Sequence, residues 1–233
     1  MSRKILLLTA VLGSLLGQAT AARPRRVGAV SLTVSVFNDA EIPISVLRTA
    51  RVRAEAVFDE AGIALTWLDC GTPGHRVADI DCPAITYPTH LSVRLAKGRG
   101  HRSEDIFGVS FLDHRGQGNY ASVYMTPLAS SKALGVLSEG ELLGYVIVHE
   151  LGHLLLGKNS HSPEGVMRPV WQFEDLKKAA RGTLLFTSSQ VERMQARYLS
   201  ASLQRSTAVS RANNGYLSPS GSPSMVGLIP PSE

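Results

Sequence analysis

The chain has 233 residues, 44% of them hydrophobic, with 24 basic and 19 acidic side chains and a formal net charge of +5. That length and apolar content suit one globular domain with its own core, and two cysteines are too few for a disulfide-dense scaffold. The basic residues are dispersed, with no stripe interleaved with aromatics, which argues against nucleic acid as a partner.

The chain opens with Arg3 and Lys4, an apolar run over 5–16, and the small residues Ala19, Thr20 and Ala21. This order predicts a secretory signal over 1–21 with cleavage near Ala22, and so a secreted or periplasmic protein. The run is too short for the roughly 20 apolar residues of a membrane span, so no stable membrane association is expected. Residues 27–38 alternate with Leu32, Val34 and Val36 on one face, which predicts a strand. Pro43 introduces an amphipathic helix over 44–61, with Val46, Leu47, Ala50, Ala54, Val57 and Phe58 at helical spacing and Gly62 as its stop. A second strand is predicted over 64–68, ending near Cys70. In an oxidising compartment, Cys70 and Cys82 are expected to close a short loop as a disulfide.

Leu91, Val93 and Leu95 alternate in a third strand over 90–96, and a fourth is predicted over 107–112. Gly116 and Gly118 mark a loop, and a short strand follows over 121–125, ended by Pro127. Ser138 with Glu141 three residues on is a capping-box pattern that opens a long helix over 139–156, terminated by Gly157. Thr187 with Gln190 repeats the pattern before a last helix whose predicted buried stripe is Val191, Met194, Tyr198 and Leu199. From about 204 the composition turns to Ser, Pro, Asn and Gly, so 204–233 is expected to be a disordered tail. The domain of 22–203 is predicted to be α+β, with one mixed twisted sheet, a long site-bearing helix and a C-terminal helix.

Within the long helix lies His149-Glu150-Leu151-Gly152-His153. Residues four apart lie about 40° apart around a helix, so both imidazoles reach one side and can share a Zn2+ ion at about 2.1 Å. Glu150 is swung about 100° from His149, beside the metal, where a carboxylate can take a proton from water and hand it to a leaving amine. A catalytic zinc takes three protein ligands. His161 is the leading candidate for the third, with Glu164, Glu174 and Asp175 as rivals. His75, His90, His101 and His114 are expected at the surface. The sequence leaves a structural Ca2+ open.

The motif, together with Gly157, His161-Ser162 and Gly165-Val166-Met167, resembles the matrixin-type metzincins. That resemblance implies a zinc endopeptidase acting on protein or peptide substrates as a monomer, with Met167 as a hydrophobic floor below the metal. It also implies that Ala121, Ser122, Val123 and Tyr124 form an edge strand that pairs with extended substrate, with 168–171 bordering the pocket beyond the scissile bond. The chain departs from the family in spacing: His153 to Gly157 and Gly157 to His161 are each four residues rather than three. One added helical residue rotates the exit by about 100°. Two other readings stand beside this one: a zinc hydrolase with a carboxylate such as Glu174 as third ligand, and a zinc-stabilised binding module without turnover.

Overall fold

The computed structural model describes residues 30–71, 82, 87–98, 106–129 and 131–200. The predicted signal (1–21), His75, His101 and the tail (204–233) lie outside the described residues. A five-stranded mixed sheet forms the frame, from β1 (Val30–Asn38), β2 (Ile63–Cys70), β3 (His90–Ala96), β4 (Gly108–Phe111) and β5 (Tyr120–Tyr124), in the order β2-β1-β3-β5-β4. The first four of these positions run parallel, and β4 closes the end antiparallel to β5. Helices α1 (Ile44–Glu60), α2 (Met125–Ala129), α3 (Glu139–Leu156), α4 (Phe173–Ala180) and α5 (188–200) complete the domain. Among the described residues no helix is long and apolar enough to cross a membrane.

The alternation read from the sequence sets the core. Leu32, Val34 and Val36 of β1, Leu91, Val93 and Leu95 of β3, and Ala121 and Val123 of β5 are all buried in one apolar cluster with α1 and α3. Register keeps them in rows, with Val34 opposite Leu91 and Val93 opposite Ala121. Each buried leucine or valine contributes about 1.5–3 kcal/mol. Helix α3 crosses α1 closely because Gly140 and Gly144 carry no Cβ: one at Gly144 would stand 2.6 Å from the Ala50 carbonyl oxygen, and one at Gly140 2.8 Å from that of Val46.

Several expectations need correction. β5 is an internal strand, paired with β3 on one side and β4 on the other, so Ala121, Ser122, Val123 and Tyr124 do not offer a free edge. Among the described residues the edge on this side is β4. His90 is buried, its Nε2 2.7 Å from Ser35 Oγ. Leu199 is 58% exposed, and Gln190 takes a buried place on α5 with Met194. Helix α4 was not foreseen. Its capping box is Gln172 with Asp175, and it docks by the Tyr145 hydroxyl donating to the Ala179 carbonyl at 2.9 Å. Pro127, read as a breaker, sits inside α2 near its start, where its missing N–H costs nothing. Cys70 and Cys82 form the expected disulfide, with Cα atoms 5.8 Å apart.

Candidate active site

Helix α3 carries the site and is fixed at both ends. At its start Ser138 Oγ accepts from Glu141 N, and Glu141 Oε2 accepts from Ser138 N at 3.0 Å. These two bonds satisfy orphan donors of the first turn. Glu141 is held below the usual carboxylate range, first by the Ser138 N–H. At the other end α5 supplies the cap: Arg193 donates to the Leu156 carbonyl at 3.2 Å and Arg197 to that of Leu155 at 3.3 Å. Two cations at a helix C-terminus also suit the negative end of its dipole.

His149 and His153 meet with their Nε2 atoms 3.1 Å apart. His149 Nδ1 lies 2.8 Å from the Val166 carbonyl oxygen. A carbonyl only accepts, so Nδ1 carries the proton and the Nε2 lone pair is left to face the site. His153 Nδ1 lies 2.6 Å from Ser160 Oγ, and donating there leaves its Nε2 likewise free. His161 completes the group, its ring centroid 5.4 Å from that of His149 and 4.7 Å from that of His153. One nitrogen from each of the three lies within 4.8 Å of the others. Tetrahedral zinc with bonds of about 2.1 Å sets its ligands roughly 3.4 Å apart, which the closest pair already approaches.

Desolvation keeps the half-buried His149 and His153 neutral, lowering them to about 4 and about 3, and it lowers the more exposed His161 as well. Neutral imidazole is the form that ligates a metal. The residues present therefore fit a zinc ion.

The longer spacing is absorbed by two backbone turns. Helix α3 runs one residue further than in the pattern the chain resembles, to Leu156, and Gly157 leaves it at φ 78°. A Cβ there would meet the Arg197 guanidinium at 2.5 Å and the Gly116 carbonyl at 2.8 Å. Asn159 then adopts φ 54°, the left-handed conformation that asparagine tolerates. Two positive-φ residues within three positions double the chain back, so Ser160 and His161 face the helix they have just left. Asn159 is thus a turn-former.

The rival carboxylates are engaged elsewhere. Glu174 pairs with Lys177 at 2.7 Å, and buried Asp175 accepts from Gln172 N at 2.9 Å and Arg168 at 3.2 Å. Neither these nor Glu164 joins the histidine cluster, which is the one metal-competent group among the described residues.

Met167 is fully buried behind the helix, and its sulfur would lie 2.4 Å from a Cβ at Gly152. The glycine between the two histidines is therefore what admits the methionine. The Val166 carbonyl also accepts from Trp171 Nε1 at 3.1 Å, and that indole stands edge-on to His149 with centroids 6.0 Å apart.

Glu150 turns toward β4. It is 5% exposed, and Ser110 Oγ lies 2.6 Å from its Oε2 and 2.8 Å from its backbone carbonyl. Burial raises its carboxyl to about 7, opposed by the Ser110 hydrogen bond. A Cβ at Gly108 would stand 2.6 Å from Oε1, so Gly108 makes the space for the carboxylate. Ser110 and Gly108 are not legible in the sequence, since nothing in a linear pattern links β4 to the helix, and Ser160 has no signal beyond its place beside His161. Gln190 was visible only as a cap.

No protein-family model matches the chain, and no curated protein matches it. Among solved structures, an archaemetzincin (amzA) from Methanopyrus kandleri is 18% identical at a TM-score of 0.47, covering 76% of this chain and 98% of that one. A zinc-dependent peptidase from Methanocorpusculum labreanum is 16% identical at a TM-score of 0.44, covering 69% and 99%. At these values neither assigns a role to any residue, and the side-chain geometry has to do so.

Proposed function

We propose that the chain is an extracytoplasmic zinc-dependent endopeptidase of metzincin type, acting on extended peptide or protein substrates. The observation that carries this is the convergence of His149, His153 and His161 with their ring nitrogens within 4.8 Å, beside a buried Glu150. A purely structural zinc site closes its fourth position with a protein ligand, and only three donors cluster here among the described residues. The Cys70–Cys82 disulfide and the signal-like 1–21 segment favour an oxidising compartment.

Zinc held by the three imidazoles would supply a Lewis acid that polarises the scissile carbonyl and acidifies water. Glu150, with a carboxyl near 7 in the metal-free site, takes the proton of the attacking water and returns it to the departing amine. Ser110 keeps that carboxylate in one orientation. β4 ends the sheet, and its outer backbone can accept an extended peptide as a sixth strand. The strand that binds the peptide is then also the one that holds the base.

The test is Glu150→Gln in the purified protein lacking 1–21. Zinc content should match the parent, while casein or gelatin cleavage falls by roughly 10²–10⁴-fold. Cleavage at the parental rate would refute the mechanism.

A further inference from the structure

His161 sits on a return segment eight residues beyond His153, and a segment of that length does not place a ligand by itself. One side chain from a different element reaches both of its neighbours. Gln190, on the first turn of α5, is 3% exposed. Its Nε2 donates to the Ser160 carbonyl at 3.2 Å and to Ser162 Oγ at 3.0 Å, and its Oε1 accepts from Thr187 N at 3.0 Å. The carbonyl only accepts and the Thr187 N–H only donates, so the carboxamide has one orientation. Both of its hydrogens are used.

We propose that Gln190 is a positioning residue of the metal site, presetting His161 by tying down the residues on either side of it. The proposal rests on the reading of the three histidines as the zinc ligands. The ties form a continuous chain. Ser160 holds His153 through its hydroxyl and is held by Gln190 through its carbonyl. Ser162, held by Gln190, donates its own hydroxyl to the Glu164 carbonyl at 2.6 Å. Without the carboxamide the return segment would occupy its ligating arrangement only part of the time, and apparent affinity falls by that fraction. The same side chain caps α5, so helix and ligand segment share one anchor.

Zinc affinity, measured by competition with a chromophoric chelator, tests this without reference to turnover. Gln190→Met removes both donors at similar length, and Gln190→Glu keeps the acceptor for Thr187 N while offering the return segment no donor. Each should weaken zinc binding roughly 10–100-fold, the range for residues that orient a ligand. On a His161→Ala background, Gln190→Met should cost clearly less affinity than on the parental one, since the part of its effect that runs through the missing imidazole is gone. Parental affinity in Gln190→Met, or the same loss with and without His161, overturns the positioning role. Parental affinity in His161→Ala itself sinks the three-histidine reading, a separate outcome. Should neither Gln190 variant fold, Ser162→Ala removes one anchor from a half-buried site. A severalfold loss there supports the proposal, and parental affinity overturns it.

Discussion

At the scale of single residues, the site depends on atoms that are absent as much as on those present. Glu150 can lie against β4 only because Gly108 has no side chain: an added Cβ would come within 2.8 Å of the Oε1, Cγ and Cδ atoms of the carboxylate. Gly108→Ala should therefore push the Glu150 carboxylate off Ser110 while leaving the three histidines untouched. On the proposed mechanism the expected outcome is parental zinc content with kcat/KM lowered by roughly 10²-fold, the scale of a misplaced catalytic group. A variant with parental kcat/KM would show that the carboxylate does not need this position. Gly152 plays the corresponding part between His149 and His153, admitting the Met167 sulfur to the helix surface.

At the scale of elements, α3 belongs as much to α1 as to the histidine cluster. The pair Gly140 and Gly144 sets their separation, and the nearest obstacle to a side chain at Gly144 is the backbone of Ala50, which no rotamer change can move aside. Gly144→Ala should separate the helices and cost about 1–3 kcal/mol, read as a lower midpoint in denaturant unfolding. An unchanged midpoint would mean that the crossing has slack. This helix was also the most legible element. Its cap, its length and both of its histidines could be read directly, because capping boxes and i,i+4 spacing are local chemistry. Strand order was not legible. The alternation of β5 predicts a strand with one buried face but carries no information about which strands flank it, and the edge position that the family resemblance implies for Ala121–Tyr124 is the one β4 occupies. Helix α4 was hidden by its brevity: an eight-residue element with Leu176 and Ala179 as its inward positions gives almost no periodic signal. Its acidic first turn and basic last turn were the available clue.

At the scale of the whole molecule, the buried polar groups of the site make stability depend on pH when metal is removed. His149 and His153 titrate near 6.5 in the unfolded chain and at about 4 and about 3 in the fold. Between those values the unfolded state binds more protons, so stability is present above 6.5 and is lost as pH falls through the window. Glu150 has the opposite sign. Its carboxyl is raised to about 7, so its contribution is full below the unfolded value near 4.5 and is lost as pH rises through 7. Two histidines outweigh one carboxyl between 4.5 and 6.5. The Tm of the chelated protein should therefore drop as pH is lowered from about 6.5 to about 4.5. Thermal melts that stay level across that range would mean the histidines are hydrated rather than desolvated in the metal-free fold.

Arg193 and Arg197 close the end of α3, and Gln190 on the same helix secures the segment that carries His161. The order in which the chain is made then matters. On the proposed roles, a nascent protein that has emerged only as far as residue 187 already holds His149, Glu150 and His153, but it lacks the helix that carries Gln190. On that reading a chain made only that far would carry the motif with a weaker hold on metal.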